Sequence, residues 1–125
     1  MQLTKAEEQV MKYLWKLEKA YLKDIIDQFP IPKLATTTIA TLIKRIIDKG
    51  FIGYHQHGIN REYYPLIKKT DYFSKQLNVI IKDYFNNSAS QFASFFTNEV
   101  NLNLTDLEEI KQLIEQKIKT KKKTK

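Results

Sequence analysis

Thr36-Thr37-Thr38, followed by Thr41, Lys44 and Arg45, is the stretch of this sequence best suited to reading another molecule. Ile39, Leu42, Ile43, Ile46 and Ile47 are interleaved with these residues at three- and four-residue steps, the spacing of one buried helix face. With that face turned inward, the threonines, Lys44 and Arg45 point outward. Short hydroxyls with a methyl allow close approach to base edges in a DNA groove, and an arginine can fork onto guanine O6 and N7. Taken alone, a polar helix face is ordinarily a solvated one. Three consecutive β-branched threonines weaken the first helical turn, and tolerance of that cost points to a use for their hydroxyls. Lys33 at the entry to the helix and Arg61 beyond it are suited to phosphate contact, Arg61 also to the minor groove; either one singly is as well read as a solvated charge.

Other chemistry is scarce. His55 and His57 share one face of a strand, but no carboxylate or thiol lies nearby in sequence to complete a metal site, so both read as surface polar residues. The absence of cysteine removes disulfides, thiolate metal sites and thiol nucleophiles together. Gly50, Gly53 and Gly58 are the only glycines; a helix cap and a hairpin account for them, which leaves no phosphate-cradling loop. No nucleophile, base and carboxylate assemble into a catalytic set. The expectation is a protein that is not an enzyme and needs neither metal nor cofactor.

The elements that must position the threonine face can be read in order. Thr4-Lys5-Ala6-Glu7 is a capping box opening a helix whose buried side carries Val10, Met11, Leu14, Trp15 and Leu17. Leu22, Ile25, Ile26 and Phe29 give a second, shorter helix, ended by Pro30 and Pro32. The threonine helix spans about 35–49, with Gly50 placed for the left-handed cap. Phe51, Ile52, Tyr54 and Gln56 then shift towards period two, His57-Gly58-Ile59-Asn60 carries turn residues, and Arg61 to Leu66 resume a strand. The hairpin's Tyr54, Tyr63 and Tyr64 are assigned to cross-strand packing. Three helices, the last two joined by a short connector and followed by a hairpin, are the parts of a winged helix-turn-helix. In that setting the outward face of the third helix is a DNA-reading face. Residues 1–69 are read as this DNA-binding domain.

Three more helical stretches follow. Thr70 or Asp71 caps one carrying Phe73, Leu77, Ile80, Ile81, Tyr84 and Phe85, interrupted by Asn86-Asn87. Ser88 to Gln91 opens a second with Phe92, Phe95 and Phe96 on one face, and Thr105 to Glu108 a third with Leu107, Ile110, Leu113, Ile114 and Ile118. These stripes could form a core, a ligand pocket or a partner surface. A core shared between two subunits fits best, because helices this short are marginal alone and helix-turn-helix readers commonly pair. The fold class is therefore mainly α: a winged helix-turn-helix with a C-terminal three-helix dimerisation region at 70–118. Its pairing residues are Phe73, Leu77, Ile80, Tyr84, Phe92, Phe95, Phe96, Leu107, Ile110 and Ile114. Residues 119–125 read as a basic, disordered tail.

Composition agrees with this plan. A chain of 125 residues has room for one small domain and a helical extension, and 42% hydrophobic content is enough for a modest core. The formal charge of +7 attracts polyanions, nucleic acid or acidic lipid alike, and six of the basic residues crowd into Lys117–Lys125. No apolar run is long enough to span a bilayer and the N-terminus lacks a signal-peptide layout, so the expected setting is cytoplasmic, without membrane insertion.

The order LTKAEEQVMKYLWKLEKAYLKDI, TTTIATLIKRIIDKGFIGY and NREYYPLI resembles the penicillinase-repressor family, the BlaI/MecI/CopY type, over nearly the whole chain. The most specific parts run from Leu3 to Trp15 and from Thr37 to Gly50. The resemblance implies a homodimer that occupies a palindromic operator to repress resistance or stress-response genes, with Thr37, Thr38, Thr41 and Arg45 reading bases. Lys33, Thr36, Lys44 and Arg61 are left for the backbone and wing contacts. It also implies relief of repression by a membrane sensor-protease system. The corresponding cut lies at Ser94-Phe95, where Ser94 replaces the asparagine of the β-lactam-responsive members. Copper sensing through the family's cysteine motif is excluded by the lack of cysteine. The rival reading is a winged-helix protein-interaction module; exposed apolar residues on the third helix would favour it, and that face offers Thr, Lys and Arg instead.

Overall fold

The computed structural model describes residues 2–31 and 34–124, so the expectation for Lys33 lies outside the described residues. In chain order the elements are α1 (Lys5–Leu17), β1 (Ala20–Tyr21), α2 (Leu22–Gln28), α3 (Thr36–Asp48), β2 (Ile52–His57), β3 (Asn60–Pro65), α4 (Lys69–Tyr84), α5 (Ala89–Glu99) and α6 (Leu104–Lys123). They divide into two compact units, residues 1–75 and 76–125, and α4 crosses the division.

The first unit is a winged helix-turn-helix. Its core joins Val10, Met11 and Leu14 of α1 to Ile25 of α2, Ile39, Leu42, Ile43 and Ile46 of α3, and Ile52 of β2, all buried. The α1 capping box forms as its residues require: the Thr4 hydroxyl accepts from the Glu7 N–H at 3.2 Å, and the Glu7 carboxylate accepts from the Thr4 N–H at 2.8 Å. Gly50 ends α3 at φ +87°, a conformation that costs a residue with a Cβ but not glycine.

The sheet has order β1-β3-β2 and is antiparallel throughout. Tyr54 faces Tyr63 and Gln56 faces Arg61 across the hairpin, while Ala20 and Tyr21 of β1 pair with Tyr63 and Glu62. β1 ties the base of the wing to the start of α2. At two residues it is too short to leave a periodic signal in the sequence. Trp15 anchors the hairpin's far end by donating its indole N–H to the Ile67 carbonyl at 2.9 Å.

Three details depart from the sequence reading. The helix α4 begins at Lys69, ahead of Thr70 and Asp71. The cap of α6 is Asn103 rather than Thr105: Asn103 Oδ1 accepts from the Asp106 N–H at 2.8 Å while Asp106 accepts from the Asn103 N–H at 3.2 Å. Asparagine caps at least as well as threonine, and its reciprocal pair with Asp106 starts the helix two residues earlier. Finally, α6 runs on to Lys123, through most of the stretch read as a disordered tail. Lysines are good helix formers, and at a C-terminus they meet the negative end of the helix dipole.

In the second unit, α4 closes on Asn86 and Asn87, both at positive φ, with the Asn87 N–H reaching back to the Ile81 carbonyl at 3.0 Å. Asparagine is the non-glycine residue best able to adopt that geometry. Ser88 then caps α5 by accepting from the Gln91 N–H at 3.1 Å. Among the described residues of this unit none is buried.

Candidate nucleic-acid interface

The α3 helix carries two opposed faces. Ile39, Leu42, Ile43 and Ile46 are buried, whereas Thr36, Thr37, Thr38, Thr41, Lys44 and Arg45 are all exposed, as the apolar spacing predicts. Ala40 is exposed on the same side, one turn beyond Thr36. A methyl there leaves room for a partner to approach the backbone. Its signal in the sequence was only a small residue in the middle of a polar stripe.

The start of the helix presents the positive end of its dipole with no acidic side chain in its first turn and no side-chain cap from Ala35, a combination that favours anions. Among the described residues neither Lys44 nor Arg45 is paired with a carboxylate. The Thr41 hydroxyl is already engaged, donating to the Thr37 carbonyl at 2.8 Å.

The far end of α3 is fastened by Lys49. Its Nζ lies 2.6 Å from Glu7 Oε1, and it also donates to the Gln2 carbonyl at 3.3 Å. Glu7 is 1% exposed, the one buried charged side chain among the described residues. Burial pushes its carboxyl up, but the bonds from Lys49 and Thr4 more than offset this and hold it below the ordinary glutamate value.

On the wing, Arg61 does not extend freely from the turn. Its guanidinium lies over the Tyr54 ring, 4.3 Å from the centroid, on the hairpin face that also carries Tyr63. Stacking restricts the side chain before any partner arrives, at an exposed site where the contact is worth about 0.5–1 kcal/mol. The tyrosines pack as expected: Tyr54 and Tyr63 meet edge to face at 6.2 Å, and Tyr64 stacks on His55 at 4.9 Å. Glu62, opposite His55 in the register, places Oε1 3.3 Å from His57 Nε2, and no cluster of three metal-binding side chains occurs among the described residues. Ile59 at the tip is 96% exposed. Sequence reasoning took it as a turn residue, and the structure places its apolar side chain in water at the tip of the wing.

The residues expected to pair two subunits are spread over three helices. Phe73 belongs to the first unit, beside Trp15 at 5.9 Å, and keeps an exposed edge. Leu77, Ile80 and Tyr84 are exposed on α4, Tyr84 at 78%. On α5, Phe92 and Phe96 are half-buried and Phe95 is exposed; on α6, Ile110 is half-buried while Leu107 and Ile114 are exposed. Phe85 gathers this aromatic group, its ring 5.6 Å from Phe92 and 5.2 Å from Phe95. Ser94 is exposed on α5, its Oγ accepting from Asn98 Nδ2 at 3.4 Å.

Among the described residues, no helix is long and apolar enough to cross a membrane. Comparison with known proteins assigns this architecture. The family model of the penicillinase repressor matches residues 3–116. The penicillinase repressor of Bacillus licheniformis is 27% identical over 124 residues, covering 97% of this chain and 95% of the relative. The methicillin resistance regulatory protein MecI of Staphylococcus aureus strain N315 is 26% identical over 117 residues, covering 93% and 95% respectively. Among solved structures, the DNA-binding domain of the repressor BlaI is 32% identical with a TM-score of 0.51, covering 57% of this chain and 88% of that one. The chain belongs to the penicillinase repressor family: it is a DNA-binding, winged-helix transcriptional repressor and not an enzyme.

Proposed function

We propose that the protein acts as a homodimer that seats two α3 helices in successive major grooves of a palindromic operator and so blocks a promoter of resistance or stress-response genes. The observation that carries this reading is the exposed Thr36–Arg45 face of α3, polar and basic over a fully apolar inner face. Thr37, Thr38, Thr41 and Arg45 read base edges, while Thr36, Lys44 and Arg61 hold the backbone or the wing's groove.

Residues 1–69 are assigned to DNA binding and the helices beyond to pairing. Support for the second copy comes from the unit 76–125, which has no buried residue among those described and exposes Leu77, Ile80, Tyr84, Phe95, Leu107, Leu113, Ile114 and Ile118. Water-exposed apolar surface on that scale calls for a partner. Charge along α6 favours a copy of the same chain: Asp106, Glu108 and Glu109 lie in its first half and Lys117, Lys119 and Lys121–Lys123 in its second. An antiparallel pair of such helices sets acid against base at both ends. Relief of repression is assigned to a cut between Ser94 and Phe95 by a membrane sensor-protease system, which removes α6 from the pairing surface.

Iterative enrichment of random duplexes on the full-length protein, followed by footprinting and sedimentation, tests the core of this reading. Two symmetric half-sites protected by two chains are expected. A monomer that protects a single, non-repeated site would overturn it.

A further inference from the structure

The turn of the wing carries an apolar side chain that the fold leaves in water. β2 and β3 close on a two-residue loop, Gly58-Ile59, with His57 paired to Asn60. Gly58 stands at φ +62° and Ile59 is not at positive φ, the pattern of a type II′ turn, whose first position belongs to glycine. The second position ordinarily takes Asn, Asp or Ser. Here it holds an isoleucine, the most exposed large hydrophobic among the described residues. The tip is also stiff: Gln56 Nε2 donates to the Gly58 carbonyl at 3.0 Å, and Arg61 just behind it is stacked on Tyr54. Beside the tip, Ile59 borders a concavity of about 550 Å³ together with Lys23 and Arg61. These two cations outnumber the one carboxylate in its wall, Asp24, which already accepts from the Tyr21 N–H at 2.9 Å.

We propose that Ile59 is an apolar wedge that enters the minor groove of the operator and partly unstacks one base step, so that the protein selects a TA step under its wing. The inference rests on the reading above in which the wing lies against DNA. The minor groove is about 6 Å wide, too narrow for a helix but open to one side chain at the end of a hairpin. Apolar side chains inserted there part neighbouring bases and kink the duplex. Pyrimidine–purine steps such as TA yield most easily. Guanine adds an amine donor to the groove floor, which an isoleucine would bury without an acceptor, so G·C pairs are disfavoured at the same place. Arg61 and Lys23 suit the phosphates of the strand that borders the wedge, and they carry affinity without reading sequence.

The test uses the full chain and a duplex enriched from random DNA with the wild-type protein. Because the chain has no cysteine, Ile59→Cys offers a single attachment point for an iron chelate, whose cuts locate the wing tip on that duplex. Duplexes are then compared with TA, AA or CG at the located step. The wild type is expected to favour TA over CG by about fivefold or more, and 2-aminopurine placed at the step should brighten on binding as it unstacks. Ile59→Ala should lose both effects and Ile59→Leu should keep them. Ile59→Lys should bind all three duplexes with a steeper salt dependence and no step preference. The side chain is exposed, so these variants are expected to melt as the wild type does. An undiminished TA preference in Ile59→Ala, or unchanged 2-aminopurine fluorescence with the wild type, would overturn the wedge while leaving the wing on DNA. Absence of any chelate cut would remove the wing from the DNA altogether, and the inference with it.

Discussion

The Thr41 hydroxyl donates to the Thr37 carbonyl one turn earlier at 2.8 Å, so its proton is committed within α3. What Thr41 can offer a base is its methyl and the remaining acceptor capacity of its oxygen. A thymine methyl or an exocyclic amine donor therefore suits it better than a base acceptor such as guanine O6. Thr41→Val, which keeps a methyl in place, should retain affinity opposite a thymine and lose it opposite an amine. Titration against operators changed only at the contacted base pair distinguishes the two.

Arg45→Ala and Thr38→Ala should each weaken operator binding by about 1–3 kcal/mol, the scale of a lost base contact. Binding to scrambled duplexes should change much less. Anisotropy titrations at two salt concentrations give both quantities, and unchanged discrimination in both variants would remove α3 as the reading element.

The outward set of this helix was legible in the sequence because four buried isoleucines and leucines on a 3.6-residue period leave the other positions no alternative. The capping box at Thr4 and the positive φ at Gly50 and Gly58 were legible for the same local reason. What sequence reasoning missed is chiefly long-range or ambiguous. Lys49 and Glu7 are 42 positions apart, and Tyr72 and Glu8, whose side chains hydrogen-bond, are 64 apart, so no local pattern links them. Arg61 was read as a free wing charge because cross-strand register, which brings it onto Tyr54, is decided by the turn. At α6 both Asn103 and Thr105 match a capping pattern, and only the side-chain bonds separate them.

The Glu7–Lys49 pair predicts a pH signature. A carboxyl held below its ordinary value in the folded state contributes stability that is fully present above the unfolded-state value, about 4.3, and is lost as pH falls through the depressed one. Glu7→Gln should therefore be less stable than wild type at neutral pH, by about 1–2 kcal/mol since Lys49 remains partly exposed, with the gap narrowing below about pH 4. Urea midpoints of the two proteins across pH 3 to 7 provide the check.

Tyr72 also predicts where the first unit can be cut. A fragment of residues 1–75 should fold as a monomer and bind a half-site, because Tyr72 remains in its core. A fragment ending at Lys69 loses that ring and both hydroxyl bonds, from the Leu3 N–H and to Glu8, at a cost of about 3 kcal/mol. Thermal melts of the two fragments should differ accordingly, and sedimentation should find no dimer of either. In both, operator affinity should fall steeply, since linked half-sites gain from effective concentration without any new contact.

Ser94 and Phe95 lie within the helix α5, and a protease needs an extended substrate, so cutting there requires α5 to open first. Phe85 opposes that opening by holding Phe92 at 5.6 Å and Phe95 at 5.2 Å from the end of α4. Each aromatic pair contributes about 0.5–1.5 kcal/mol beyond the area it buries. When opening and closing are fast relative to cleavage, the cutting rate follows the open population, so a loss of about 1.4 kcal/mol accelerates it about tenfold. Phe85→Ala should thus be cut faster by chymotrypsin after Phe95 and Phe96, by about that factor. Wing cleavage after Tyr54 or Tyr63 should keep its rate, because those rings pack within the first unit. Mass spectrometry of timed digests gives both rates in one experiment. Equal acceleration at both places would mean that Phe85 stabilises the chain as a whole, and an unchanged rate at α5 would show that its opening is governed by residues other than the Phe85 cluster.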